Sequence, residues 1–376
     1  MKRAIFIVLF LSVLSSTAQQ KFEVDGQLSA VTSFSPKNDL NSFIGVRYIP
    51  EISYKIGSDT TQMLDFEVSA NVSGSSLFRP ISKSEEQFNV SPYRAWVRYK
   101  GKQFEIRAGL QKIDFGVATM LRPLQWFNQI DPRDPLQLTN GVYAVLGRYY
   151  FLNNANIWLW GLYGNGLQRG LDIYPTAVKT PEYGGRFQHP AGRGELAFSY
   201  HHRTADPNRT SPAPVVSGTV PENRFALDGK WDVGVGLWFE TSYIRKSEPV
   251  ENATNQTLVN IGTDYTFGIG NGLGVTIEQL FFSANERAFV LNQHINISAV
   301  NMSYPLSFYD RVSAVASATW ETGQAAFFVN YEHQFKKITG YVMAYYNPEN
   351  QIGLQQNELT NSFAGPGIRL MMVYNH

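Results

Sequence analysis

The sequence contains no cysteine among its 376 residues. That excludes disulfides, thiolate metal sites and thiol redox chemistry. Net charge is nearly absent too: 32 Lys and Arg against 31 Asp and Glu leave +1. A chain without a basic surplus lacks the electrostatic footprint of nucleic-acid binding, so no nucleic-acid partner is expected. Histidine is scarce, with six residues in all. They are His189, His201, His202, His294, His333 and His376, and no HExxH-like spacing joins any of them. His201 and His202 are adjacent, so on a strand they face opposite ways and cannot share one ion. His294 and Ser298 share a strand face but stand roughly 13 Å apart by strand rise, too far for a base to activate a hydroxyl. No catalytic residue, metal site or cofactor is expected, and the chain reads as a protein that is not an enzyme.

Long apolar runs are missing as well. After residue 20 no stretch is long and apolar enough for a transmembrane helix, and the helical period of 3.6 is rare. The one compact apolar run is at the N-terminus. Lys2 and Arg3 precede the apolar stretch 4–14, and Ser16 and Ala18 are small residues placed for cleavage before Gln19. This predicts a cleaved signal peptide over 1–18, because the run is too short to anchor a chain in a bilayer.

What fills the remainder is alternation with period 2, the pattern of half-exposed strands. Phe22, Val24, Leu28 and Ala30 oppose Glu23, Asp25, Gln27 and Ser29. Leu64, Phe66, Val68 and Ala70 oppose Asp65, Glu67, Ser69 and Asn71. Such segments recur at 43–56, 93–100, 103–111, 142–151, 156–164, 183–189, 194–203, 223–232, 234–246, 257–268, 273–283, 293–303, 311–320, 325–335, 338–346 and 366–375. The count is about eighteen, with sixteen as the lower alternative. At about 20 residues per strand and connection the spacing suits an outer-membrane barrel. Connections alternate between tight turns and long segments near 73–88, 112–140, 165–182, 204–222, 247–256, 284–292 and 347–362. Together these predict an all-β protein. Residues 19–376 would form a single transmembrane antiparallel β-barrel, with short periplasmic turns, longer extracellular loops and both termini in the periplasm.

The physical reason is direct. Lipid offers the backbone no hydrogen-bond partner, so a closed sheet without edges is one of the few structures that can cross it. Outward residues must be apolar and inward ones need not be, which leaves mean hydropathy unremarkable. Aromatics, at 14%, fall near strand ends in Tyr149-Tyr150-Phe151, Trp158-Trp160, Trp238-Phe239 and Tyr345-Tyr346, where they are expected to form interfacial girdles. A soluble sandwich or propeller would need neither the girdles nor the loop asymmetry. The expected surroundings are the outer-membrane bilayer of a Gram-negative cell.

Two segments support a named resemblance. "RAWVRYKGKQFEIRAGLQKIDFG" followed by "WFNQIDPRDP" resembles the alginate-export and related substrate-specific porins. The matching positions are Arg107, Gly109, Gln111, Phe115, Gly116, Asn128, Asp131, Pro132, Asp134 and Pro135. The resemblance covers about a sixth of the chain and implies an eighteen-stranded, monomeric barrel that passes solutes. The Ala18-Gln19-Gln20 start resembles proteins of the Bacteroidetes. Gly367, Leu370, Met372 and Tyr374 resemble the C-terminal signal read by the bacterial barrel-assembly machinery, which would be a partner during biogenesis.

The predicted inward positions are rich in charge. Asp65, Glu67 and Glu105 provide acids; Arg94, Arg98, Arg107, Arg148, Arg186 and Arg224 provide bases. An arginine row suits bidentate contacts to carboxylate or phosphate, so these residues are candidates to line a pore for small hydrophilic, partly anionic solutes such as acidic sugars. The competing reading is that acids and arginines satisfy each other inside a filled barrel. Residues 112–140 break the strand pattern with Pro123, Pro132 and Pro135. Proline removes a ladder donor, and a loop this long usually has a job. Arg122, Trp126, Asn128, Asp131, Arg133 and Asp134 are candidates to fold inward and narrow the lumen; an outside lid is the alternative. The other function class kept open is a structural or secretion-linked barrel that acts through envelope partners.

Overall fold

In the computed structural model the described residues are 20–36, 41–58, 62–79, 82–209, 218–250, 253–290, 292, 294–348 and 365–376. The expected leader, 1–18, lies outside them. Eighteen strands form one closed antiparallel sheet in which each strand pairs with its neighbours in sequence and β1 also pairs with β18. The first nine are β1 (Gln20–Ser35), β2 (Asn41–Ser58), β3 (Gln62–Arg79), β4 (Ser82–Lys100), β5 (Phe104–Gln111), β6 (Val142–Tyr150), β7 (Asn156–Leu162), β8 (Glu182–Ala191) and β9 (Gly194–Ala205). The second nine are β10 (Val220–Asp232), β11 (Gly236–Lys246), β12 (Asn255–Phe267), β13 (Leu273–Asn285), β14 (His294–Pro305), β15 (Asp310–Thr319), β16 (Gln324–Gln334), β17 (Ile338–Asn347) and β18 (Gly365–Asn375). Closure runs from Gln27↔Asn375 to Phe34↔Ile368, so no strand edge is left to seek a partner.

The period-2 pattern sets which residue faces which medium. On β18 the outward Ile368, Leu370 and Met372 are exposed, while Arg369, Met371 and Val373 are buried in the lumen. On β10, Phe225 and Leu227 face out and Arg224, Ala226 and Asp228 face in. The outside is thus an apolar belt that only lipid can cover, and the chain is a bilayer-spanning barrel.

Two expectations are corrected. Residues 73–88 do not form a loop: β3 and β4 continue as a paired hairpin through Ser73↔Asn89 and Ser75↔Gln87. The run Asn71–Ser76 carries small polar residues and hides the alternation, yet the backbone ladder needs no apolar side chain beyond the bilayer. The pairing shifts by one residue at Ser69/Ala70, where Pro92 has no N–H to give. Second, Trp158, Trp160, Trp238 and Tyr345 do not join an outer girdle. Trp160 and Trp238 are buried inside, and Trp158 packs on the cluster that holds Trp160, because Leu159 takes the outward position between Trp158 and Trp160. Tyr149, Tyr150, Phe151 and Tyr346 do face outward.

Gly109 is required where it stands. Its φ is +123°, and a Cβ there would lie 2.2 Å from the Ala95 carbonyl oxygen, so the β4–β5 ladder closes only around a glycine.

Candidate functional site

The lumen is not empty. The connection 112–141 leaves β5 and folds into the barrel, where Ile113, Leu121, Leu124, Trp126 and Phe127 are each no more than 2% exposed. Its first half meets the wall in two apolar patches. In one, Ile113, Phe115, Leu124, Trp126 and Phe127 pack on Val142, Ala144, Leu146, Trp160, Leu162 and Ala226. Phe115 stacks on Trp160 with centroids 5.5 Å apart, and Phe127 meets Trp160 edge-on at 5.4 Å. In the other, Met120 and Leu121 pack on Ile244, Leu258, Leu280, Ile297 and Ala299. Apolar residues facing an otherwise polar lumen are thereby removed from water.

A loop buried this way must satisfy its backbone donors. Two wall carboxylates do so. Glu278 on β13 accepts the N–H groups of Thr119 at 2.6 Å, Met120 at 3.1 Å and Leu121 at 2.6 Å, and the Thr119 hydroxyl at 2.9 Å. Glu240 on β11 accepts those of Val117 at 2.8 Å, Ala118 at 2.9 Å and Leu124 at 2.7 Å. Charge-assisted bonds of this kind are stronger than neutral ones. Gly116 permits the approach: its φ is +98°, and a Cβ there would stand 2.5 Å from Glu240 Oε2. Gly116→Val is expected to displace the loop at this latch, adding backbone strain of about 1–3 kcal/mol to the clash. Protease nicking of the loop in reconstituted protein should rise while the barrel stays folded.

The second half of the loop crosses to the other wall. Arg133 holds Asp131 through Nε at 3.0 Å and Nη2 at 2.9 Å, and donates Nη1 to Asn347 on β17 at 3.0 Å. Asp134 accepts the N–H groups of Leu136 at 3.0 Å and Leu138 at 3.2 Å. Burial pushes the Asp134 carboxylate above the ordinary Asp range, against the pull of those two donors. Arg122 pairs with Asp114 at 2.7 Å, and Asn128 donates to the same carboxylate at 2.9 Å. Arg94 donates Nη2 to the Thr139 carbonyl at 2.9 Å, so this wall residue clamps the loop's exit.

The predicted arginines of the wall are inward, and most of them are paired. Arg98 grips Asp65 with Nε at 3.0 Å and Nη2 at 2.6 Å. Arg148, Arg107 and Arg98 converge on Glu105 at 3.1, 3.6 and 3.9 Å. Arg186 is bidentate to Asp228 at 2.6 and 2.7 Å. Arg224 contacts Glu222 and Asp172, each at 2.7 Å. Glu67 faces the lumen beside Trp96, its ladder partner. The arrangement is a set of mutually satisfied pairs rather than a bare row of cations.

Several residues that build this site were not foreseen. Glu240 and Glu278 could have been signalled by their place as the lone inward carboxylates of their strands. Arg203 and Lys246 complete the buried network around Asp172 and Glu222. His201 is fully buried: its Nδ1 accepts the Trp160 indole N–H at 3.1 Å, its Nε2 stands 3.2 Å from the Glu182 carboxylate, and its ring stacks on Trp126. His202 points outward against Tyr183.

The loop fills the side of the lumen bounded by β6 to β14. Space remains on the other side. One cavity of about 600 Å³ borders Arg47, Asn71, Asn89, Ser91, Tyr93 and Thr139. A second, of about 140 Å³, borders Arg47, Asn89, Asp131, Arg133, Asp134 and Arg369. They share Arg47 and Asn89, so a continuous strip along β1 to β4 is left beside the loop.

No family model matches the chain, and no curated relative matches it. Solved structures do. Over 95% of this chain and 98% of the other, it superposes on Pseudomonas aeruginosa OccK5 (OpdH) with a TM-score of 0.54 at 8% identity. The anion-selective porin from Comamonas acidovorans gives 0.50 at 9% identity over 95% of this chain and 100% of that one. Salmonella typhi OmpF, in complex with daunomycin, gives 0.50 at 10% identity over 96% and 100%. The fold is that of the bacterial outer-membrane porins.

Proposed function

We propose that the protein is an outer-membrane channel for small hydrophilic solutes, narrowed by the loop 112–141. One observation carries this reading: a closed barrel holds a loop fixed across its lumen by two carboxylates, and the loop leaves a polar strip along β1 to β4 uncovered. A plug meant to seal would have no reason to leave that strip. The resemblance of Arg107–Pro135 to the alginate-export porins supports the same assignment, as does the porin fold. The long connections are placed on the extracellular side.

A modest anion preference is part of the proposal. Among the described residues, Arg47, Arg133 and Arg369 border the narrow part of the strip together with Asp131 and Asp134. Below it, Arg98, Arg107 and Arg148 share Glu105 and Asp65. Arginine suits carboxylate-bearing solutes, acidic sugars included. Planar-bilayer recording of purified protein tests the reading. Ohmic steps with a reversal potential displaced toward chloride are expected; a barrel that never conducts contradicts it. Replacing Arg47 and Arg369 by Gln is expected to lower the anion preference more than replacing Arg98 and Arg107, because the first pair borders the narrow part of the strip.

Acid should move the selectivity in a defined direction. Burial makes Asp134 hold its proton more readily than an ordinary Asp, so as pH falls it is neutralised ahead of unperturbed carboxyls. Losing that negative charge beside Arg47 and Arg369 should raise the anion preference. Asp134→Asn should show the raised preference at neutral pH and a flatter pH profile.

A further inference from the structure

The larger of the two cavities differs in its chemistry from the rest of the lumen. Elsewhere inward acids pair with arginines, as at Asp65, Glu105, Asp228 and Glu222. The cavity of about 600 Å³ has no carboxylate among the described residues that line it. Two arginines border it. Arg169 is buried and held by Glu182 and by the Thr176 hydroxyl at 2.8 Å. Arg47 stands at the edge shared with the smaller cavity. The remaining polar lining is uncharged and consists of amides, hydroxyls and tyrosines.

Three elements supply these groups. Asn71 on β3 is the ladder partner of Ser91 on β4, and Asn89 follows on the same face of β4. The wall thus presents amide, hydroxyl and amide together. Asn140 comes from the exit of the loop 112–141, and Gln168 from the connection between β7 and β8. The two loops are tied at the border of the cavity. Gln129 donates its amide to the Gln168 carbonyl, and Gly170 its N–H to the Asn128 carbonyl at 3.1 Å. Asn89 and Asn140 are exposed and Ser91 is half-buried. The side chains of these three make no hydrogen bond to another described residue. An amide both donates and accepts, and so does a hydroxyl. A carboxylate only accepts and an ammonium only donates, so either meets half of what this lining offers. A solute dense in hydroxyl groups meets both halves. The volume lies within the range of small-molecule sites, roughly 300–1,000 Å³.

We propose that this cavity binds neutral mono- and disaccharides, with their hydroxyls against Asn89, Ser91 and Asn140. The inference rests on the channel reading and goes beyond its anion preference. Charge is selected in the small cavity, and the large one recognises the uncharged body of the solute. A polyether of equal size offers acceptors alone and leaves the amide oxygens of the lining unmatched.

The test uses the full-length protein in planar bilayers with potassium chloride. Maltose, lactose and sucrose are compared with a poly(ethylene glycol) of matched mass and with lactobionate, an acidic sugar. At least one disaccharide is expected to reduce the current saturably at concentrations at least tenfold below the polyether, about 1.4 kcal/mol of preference. Lactobionate should act no better than the best disaccharide. Asn89→Ala and, separately, Asn140→Ala on the loop should each raise the half-blocking concentration of that disaccharide at least threefold. Each block is measured against the variant's own sugar-free current. Asn140 belongs to no strand, so its variant keeps the test valid even if the barrel rejects the Asn89 change. Three results overturn the proposal with the channel intact: a margin under tenfold over the polyether, lactobionate acting more strongly than every disaccharide, or a disaccharide effect untouched by both variants. Should the protein not conduct, saturation-transfer NMR on nanodisc-held protein reads the three disaccharides directly. Saturable binding lost in Asn140→Ala then supports the site although the channel reading has failed. Binding that is absent, or unchanged in Asn140→Ala, overturns the site.

Discussion

Replacing 117–137 by a short Gly-Ser linker is expected to raise single-channel conductance severalfold and to admit larger solutes. The segment contains Leu124, Trp126 and Phe127, which pack on one apolar patch, Met120 and Leu121, which pack on the other, and Arg133, which reaches Asn347 on the far wall. Without it the barrel keeps its eighteen paired strands, because none of the ladder hydrogen bonds comes from the loop. The lumen side facing β6 to β14 would then fill with water. Liposome swelling with sugars of increasing size would record the change as a shift in the exclusion limit. Conductance unchanged after the deletion would mean that the loop does not restrict flow.

The second large effect is expected from the latch. Glu240→Ala with Glu278→Ala removes the acceptors for the N–H groups of Val117, Ala118, Leu124, Thr119, Met120 and Leu121. Each buried donor left unsatisfied costs roughly 1–3 kcal/mol, so even partial compensation by water leaves the docked loop strongly disfavoured. The double variant should show large, slow current fluctuations as the loop leaves and re-enters, and rapid cleavage of the loop by added protease. The single Glu278→Gln should be milder, since an amide oxygen still accepts two or three of the donors. A quiet, wild-type trace from the double variant would show that apolar packing alone holds the loop.

The barrel was legible in the sequence because lipid enforces alternation: an outward polar residue in the bilayer has no partner, so Ile368, Leu370 and Met372 must alternate with Arg369 and Met371. Where lipid does not reach, as along Ser73–Ser76, the pattern fades and the strand was invisible. Alternation also fails to say whether an aromatic near a strand end points out or in. Trp160 belongs to the inward set by parity, and its bulk is explained only once Phe115 and Phe127 are seen against it. The inward loop was suggested by its prolines, and its buried placement follows from apolar residues, Leu124, Trp126 and Phe127, that an exposed lid would not need.

The charges show the limit of reading one strand at a time. Arg98 and Arg107 were visible as inward cations, but their partners Asp65 and Glu105 become neighbours only through the register β3–β4–β5. Arg47 and Arg369 are far apart in sequence and border one cavity because the barrel closes β18 onto β1 and β1 onto β2. No local pattern marks such a pair. Glu240 takes backbone N–H groups of the loop and Glu278 adds to its own three a single hydroxyl, that of Thr119, so no cationic residue in the loop reveals them.

The central claim is that the loop occupies one side of the lumen and leaves the other open. Because the chain has no cysteine, a single introduced thiol reports its own position without interference. The direct measurement is the rate at which a charged, membrane-impermeant thiosulfonate modifies Ser73→Cys and Asn89→Cys on the open strip, compared with Ala226→Cys and Ser242→Cys beneath the loop. The account predicts fast modification of the first two, accompanied by a drop in current, and protection of the second two until the loop is removed. Equal rates at all four positions would contradict it.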